Sequence, residues 1–134
     1  MASRDKNDLD LKLSKAVTEA FDKYKKLYPN APQPLISCTY RSIEEQNKLY
    51  EIGRTIAGRK VTNAKGGQSK HNTYPSQAFD IAFITLDKKL DWNEIYFKKF
   101  AEIICENNFI EWGGNFKTFK DTPHFELKSK LWIN

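Results

Sequence analysis

The sequence is poor in the residues that most often announce chemistry. Its 134 residues include two cysteines, two histidines and one methionine. No CxxC pair occurs, which excludes a thiolate zinc knuckle. Cys38 and Cys105 lie far apart in apolar segments and read as buried thiols rather than as a disulfide. No HExxH stretch occurs, which excludes that helical type of metalloprotease. Long hydrophobic runs are missing as well, and the N-terminal MASRDKNDLDLK is charged without an apolar segment. Neither a signal peptide nor a membrane span is therefore expected, and export would need another agent. Repeats, low-complexity tracts and dividing linkers are absent, so residues 1–134 read as one domain, long enough to bury a core.

What is present is globular in character, with 40% hydrophobic and 13% aromatic residues. Lys and Arg number 22 against 17 Asp and Glu, a net charge of +5. That surplus would draw the protein toward polyanions, whether nucleic acid, anionic lipid or an acidic cell wall, without choosing among them; simple solvated lysines are the plain alternative. No recognition helix or RNA-binding motif accompanies it, so nucleic acid is not the expected partner.

Periodicity gives an α+β fold: about three helices packed on a small, mostly antiparallel sheet. Leu9, Leu13, Ala16, Val17, Ala20, Phe21, Tyr24 and Leu27 fall at helical spacing over residues 8–28. Three prolines in PNAPQP then force a turn, and PLISCTY reads as a short strand. Ser42 and Glu45 have capping-box spacing, which predicts a second helix from Ser42 to about Ile52, stopped at Gly53. Residues 53–79 read as a long loop with a short strand or turn around Arg59–Asn63. Such a loop is not expected to be idle, because ordering it must be offset by something it binds. A strand at Phe79–Ile84 follows, then a hairpin through Asp87–Lys89. A third helix capped by Asp91 runs to about Asn108, Ile110–Gly114 makes a Gly-containing turn, and a last strand lies around His124–Leu127.

The two histidines, His71 and His124, both sit in polar, turn-rich settings. A catalytic zinc takes three protein ligands and keeps a position for water, so a third ligand is required. Asp80 is the best candidate, because it interrupts the apolar run AFDIAF, where an unpaired carboxylate costs several kcal/mol to bury. The nine-residue step from His71 to Asp80 suits a loop doubling back onto a strand. Asp121, His124 and Glu126 lie within six residues. His124 and Glu126 share a strand face, so Glu126 can orient the imidazole. Asp121 stands where it can take a proton from water activated by the metal. Each residue also has a plain reading, as a surface histidine or a turn-forming Asp.

These residues carry a resemblance. SKHNTYPSQAFDIA resembles the S-x-H-(x)n-A-x-D signature of the D-Ala-D-Ala carboxypeptidase/L-alanyl-D-glutamate endopeptidase family of zinc peptidases, the VanY-like peptidases. DTPHFEL resembles the family's second signature, and TYRSIEEQNKLY its upstream Y-R-[ST]-x-x-x-Q segment. EWGGNFKTFKDTPHFEL is similar to the ending of the phage endolysin branch, and the likeness covers roughly residues 36–127. It implies zinc (Zn2+) held by His71, Asp80 and His124, Asp121 as general base, and Arg41 facing the site as an oxyanion or carboxylate holder. It places Ser69 beside the zinc histidine and Trp112, with Gly113 and Gly114, at the substrate cleft; the plain reading, of equal weight, makes Trp112 a core aromatic followed by a flexible turn. Tyr74, Phe116 and Phe119 would line that cleft or only pack the loops. Many members have six residues between the histidine and the aspartate; this chain has eight.

The resemblance thus implies a monomeric phage endolysin without a separate wall-binding module. It would cut the peptide stem of bacterial peptidoglycan, at the L-alanyl–D-glutamate bond. It would be made in the host cytoplasm and reach the wall or periplasm through a separate holin-type, membrane-permeabilising protein. The alternatives are a D-Ala-D-Ala carboxypeptidase or dipeptidase of wall remodelling, and a catalytically silent wall-binding module of the same fold.

Overall fold

Alternation along a single strand sets the layout. In β2, Ala78–Ile84, the side chains of Phe79, Ile81 and Phe83 are fully buried, while Ala78, Asp80 and Ala82 point to the opposite face. The computed structural model, which describes residues 2–129, builds the α+β fold around this strand. Strands β1 (Gln33–Cys38), β2, β5 (His124–Leu127) and β4 (Ile110–Trp112) lie in the order β1-β2-β5-β4, with β3 (Leu90–Asp91) paired to β2. All pairings are antiparallel.

Helices α1 (Leu11–Leu27) and α3 (Glu94–Ile104) cover the apolar face. The expected stripe of α1 is buried at Leu13, Ala16, Val17, Ala20 and Tyr24. Leu27 is exposed instead, in the last turn before the chain leaves the helix. Leu9 is buried although it precedes the helix, because a short 3-10 turn at Lys6–Asp8 folds it back and it bridges to Ser76. Aromatic rings form the centre of the core. Tyr24 meets Phe83 at 5.5 Å between centroids, Phe21 meets Phe100 edge-on at 5.6 Å, and Phe100 meets Phe125 edge-on at 5.3 Å.

Four local assignments differ from the sequence expectation. Helix α2 spans Ile43–Glu51 with the Ser42–Glu45 capping box formed as expected. The cap of α3, however, is Asn93, whose side chain accepts from the Ile95 amide at 3.1 Å; Asp91 is still paired in β3 and accepts from the Asn93 amide at 3.0 Å. The same helix stops at Ile104 rather than near Asn108, because the Asn107 side-chain amide donates to the Ile104 carbonyl and satisfies that end. Ile110–Trp112 is a strand, and only Gly113–Asn115 makes the turn. No strand forms at Arg59–Asn63 among the described residues. The Thr62 and Ala64 carbonyls there are taken by the side chains of Arg54 and Gln46. Both cysteines are free thiols.

Phe125 connects the apolar layer to the site, since its neighbours His124 and Glu126 face the other way. It stacks on Phe79 at 5.4 Å and lies 6.5 Å from the Trp112 ring. Phe125→Ala should cost about 3–5 kcal/mol of unfolding free energy, read by urea denaturation of the metal-free protein. A loss below about 1 kcal/mol would remove Phe125 from the centre of the core.

Candidate metal centre

On the polar face of the sheet, Asp80 and His124 are direct cross-strand partners, and Cys38 of β1 pairs with Asp80 from the other side. His71 arrives from outside the sheet, on a 3-10 turn at Lys70–Asn72. Ser69 caps that turn by accepting from the His71 amide at 3.1 Å, and Asn72 closes it by accepting from the Ser69 amide. The turn is also tied to the start of α2. The Arg41 amide donates to the His71 carbonyl at 2.9 Å, and the Asn72 side chain donates to the Arg41 carbonyl at 2.9 Å. The chain then doubles back to β2, as the nine-residue step requires, with the Gln77 amide donating to the Lys70 carbonyl.

Each imidazole has one nitrogen occupied by an acceptor and the other aimed at the same carboxylate oxygen. His71 Nδ1 donates to the Thr39 carbonyl at 2.7 Å, which leaves Nε2 at 3.2 Å from Asp80 Oδ1. His124 Nε2 donates to Glu126 Oε1 at 2.8 Å, which leaves Nδ1 at 3.1 Å from that same oxygen. The two rings are edge-to-face with centroids 5.1 Å apart. This is a convergent three-donor set with its outer hydrogen bonds in place, and it fits a tetrahedral zinc with one side open to water. The open side is a cavity of about 630 Å³, whose lining includes Arg41, His71, Asp80, Asp121, His124 and Phe119.

Electrostatics at this point of the sheet favour positive charge beside Asp80. Burial opposes charge on both rings, yet Asp80 outweighs it. The His71 pKa is pushed up to about 10 by the Asp80 charge and hydrogen bond, and then by Cys38. His124 is pushed up to about 9 by its hydrogen bonds to Asp80 and Glu126. Burial likewise opposes the Asp80 charge, but the two histidines hold that carboxyl well below the usual range. The Asp80 carboxylate thus favours positive charge beside it, which a divalent ion bound there would also supply.

Cys38 adds a soft atom nearby. Its Sγ, a His71 nitrogen and an Asp80 oxygen lie within 4.8 Å of one another. The thiol faces His71 Nδ1 at 3.7 Å, the nitrogen already given to Thr39, and accepts from Arg41 Nη2 at 3.4 Å. It therefore meets the His71 nitrogen that is turned away from Asp80 Oδ1, and the His71, Asp80 and His124 set remains the better fit.

Asp121 stands at the rim, with Oδ2 at 3.9 Å from His124 Nδ1 and its side chain 41% exposed. Its pKa is raised, first by burial and then by the charge of Asp80. A sharp bend holds it: the Asp121 amide donates to the Gly113 carbonyl, and the His124 amide to the Asp121 carbonyl. A Cβ at position 113 would lie 2.2 Å from the Asp121 carbonyl oxygen, so only glycine fits. Trp112 does not line the cleft. It is buried in the core and pins the same bend from behind, its Nε1 donating to the Thr122 carbonyl at 2.7 Å. Phe116 and Phe119 do line the cavity, whereas Tyr74 is exposed elsewhere and donates to Asp8.

Arg41 reaches the site with Nη2 at 3.6 Å from Asp80 Oδ2. Its other terminal nitrogen donates to Gln46 Oε1 at 2.9 Å, and the fully buried Gln46 donates in turn to the Ala64 carbonyl. Sequence reasoning assigned no role to Gln46, Cys38 or Lys70. The signal for Gln46 was in the sequence, since it is the Gln of the Y-R-[ST]-x-x-x-Q segment, four positions after the Ser42 cap.

Residues 62–127, which include all four central residues, match the family model described as D-alanyl-D-alanine carboxypeptidase. Over 96 residues the chain is 40% identical to the peptidoglycan L-alanyl-D-glutamate endopeptidase CwlK of Bacillus subtilis (strain 168). That alignment takes in 66% of this chain and 56% of the relative, so the chain spans little more than half the relative's length. Among solved structures, the L-Ala D-Glu endopeptidase ChiX of Serratia marcescens aligns with a TM-score of 0.63 and 21% identity, over 96% of this chain and 89% of that one. The vancomycin resistance D,D-pentapeptidase VanY, solved with Zn(II), aligns with a TM-score of 0.61 and 15% identity, over 89% and 72%. At those identities the two structures establish a shared fold.

Because both rings must lose a proton to bind a metal, zinc affinity of the metal-free protein should rise as pH increases from 6 to 9. Calorimetry in buffers of different ionisation heat should show protons released on binding. Zinc affinity that stays flat over this range would set the histidines aside as ligands.

Proposed function

Because the chain belongs to the D-alanyl-D-alanine carboxypeptidase family of zinc peptidases, we propose that it is a zinc-dependent peptidase of the peptidoglycan peptide stem, cutting the L-alanyl–D-glutamate bond. The observation that carries this reading is the convergence of His71 Nε2 and His124 Nδ1 on one oxygen of Asp80 at the floor of an open cavity. His71, Asp80 and His124 would hold the ion. Bound there, zinc supplies Lewis acidity for attack of water on the scissile amide.

The remaining work falls to side chains of the chain itself. Asp121 takes the proton from the attacking water and returns it to the leaving amine. A raised proton affinity and a half-exposed position at the rim suit both transfers. Arg41 presents a guanidinium fixed by Gln46 toward the reaction centre, where it stabilises the oxyanion that develops on the substrate carbonyl. Glu126 keeps the His124 ring in the orientation that aims Nδ1 inward. Phe116 and Phe119 give the cavity an apolar wall that excludes water from one side of the substrate.

Cleavage within the stem, rather than removal of a terminal D-alanine, is favoured by the 40% identity to an L-alanyl-D-glutamate endopeptidase. In this reading the protein is a monomeric phage endolysin. It is made in the host cytoplasm and acts at the wall after a separate holin-type protein opens the membrane, and its +5 charge aids contact with an anionic wall.

Digestion of purified peptidoglycan followed by mass spectrometry of the new termini tests the bond. New D-glutamate amino termini are expected, and release of free D-alanine would replace the endopeptidase by a carboxypeptidase. Chelation should abolish digestion and added zinc should restore it. Asp121→Asn should lower turnover by about 10²–10⁴-fold, while zinc content and thermal stability stay near wild type. Loss of zinc together with turnover would instead make Asp121 a ligand.

A further inference from the structure

Lys70 has no part in the mechanism above, although it borders the cavity and adjoins His71 in sequence. Its side chain is only 23% exposed. An ammonium so placed needs an acceptor for each of its three hydrogens. The structure supplies three: Glu126 Oε2 at 3.1 Å, the Leu127 carbonyl, and Ser129 Oγ at 3.3 Å. All three acceptors lie on or just beyond β5, the strand that begins with His124. The Lys70 main chain makes the same crossing, because the Gln77 amide donates to its carbonyl and the Leu127 amide donates to Gln77.

Glu126 is consequently divided. One carboxylate oxygen accepts from His124 Nε2 at 2.8 Å and the other faces Lys70 Nζ at 3.1 Å. A glutamate near a strand end, held only by the histidine it should orient, would be free to rotate away. Held at both oxygens it cannot turn without breaking an ion pair that is largely shielded from solvent. We infer that Lys70 is a positioning residue of the metal centre: through Glu126 it fixes the His124 ring with Nδ1 toward Asp80, and so links the turn that carries His71 to the strand that carries His124. This rests on the zinc reading proposed above. The same geometry excludes the obvious alternative, a cation waiting for a substrate carboxylate, because the three hydrogens of Lys70 are already engaged.

The test is zinc affinity of the full chain, measured by competition with a chromophoric chelator and independent of turnover. Lys70→Met, which keeps the length and removes the charge, should weaken zinc binding by about 10–100-fold, the range typical for loss of a group that supports a metal ligand. Lys70→Arg should recover most of that loss. Glu126→Gln should weaken binding comparably, and adding Lys70→Met to it should change little further, since both act through one contact. Wild-type zinc affinity in Lys70→Met would overturn the inference, as would full additivity of the two substitutions. So would a raised KM at unchanged zinc affinity, which would make Lys70 a substrate contact. Should Lys70→Met fail to fold, Lys70→Gln, which keeps a donor for the Leu127 carbonyl, is read by the same criteria. If the wild-type chain itself takes up no zinc, the proposed function fails first; if it binds zinc and Lys70→Met binds equally well, only the role of Lys70 is lost.

Discussion

The register of β2 against β5 is the constraint on which the rest depends. Opposite Asp80 stands His124, and opposite Phe79 stands Phe125. Side chains alternate along a strand, so a slip of one residue would turn Asp80 and His124 into the aromatic core and expel both phenylalanines. The register is therefore set by apolar burial on one face, and the polar cluster on the other face inherits its geometry. Antiparallel β-strands place directly opposed side chains close enough for direct contact, which is the separation two ligands of one ion require.

The third member comes by a different route. His71 lies outside the sheet and is held by main-chain and side-chain bonds from three directions: the Ser69 cap, the Arg41 amide and the Thr39 carbonyl. Thr39 in turn receives support from further away. Its carbonyl also accepts from the buried Ser76 hydroxyl, and its amide donates to the Ser3 carbonyl. The segment before α1 thereby braces the site, since Asp8 bonds both to the Ser76 amide and to the hydroxyls of Ser3 and Tyr74. A buried carboxylate between two imidazoles is costly unless every partner is held, and this layered support is what holds them.

What could be read from the sequence was what local chemistry determines. The capping box at Ser42 needs only two side chains three residues apart, and the last strand, His124–Leu127, follows from a proline and alternation. The Asp80 inference followed from the same logic, because a carboxylate in an apolar run demands a partner wherever the run is placed. The misreadings concern choices between near neighbours or across distance. Asp91 and Asn93 both cap well, and only the pairing of Asp91 with Phe83 decides for Asn93. Trp112 could face cleft or core until the position of Phe125 was known. Cys38 and Lys70 act through His71 and Glu126, which are distant in the chain, and no periodicity announces such contacts.

The loop over residues 53–68 has a consequence of another kind. It forms one wall of the cavity, through residues 61–64, yet it is held by α2 rather than by the metal face. Arg54 donates to Tyr50 and Thr62, Gln46 to Ala64, and the Gly66 amide donates to Asn47. Wall and floor are joined at Arg41, through Gln46, and at Asn72, which accepts from the Gly67 amide. Under the proposed function, substitutions at residues 61–64 would alter which stem peptides are admitted while leaving the hydrogen bonds of Asp80, His71 and His124 in place. A scaffold divided in this way can diversify its substrates while its chemistry stays fixed.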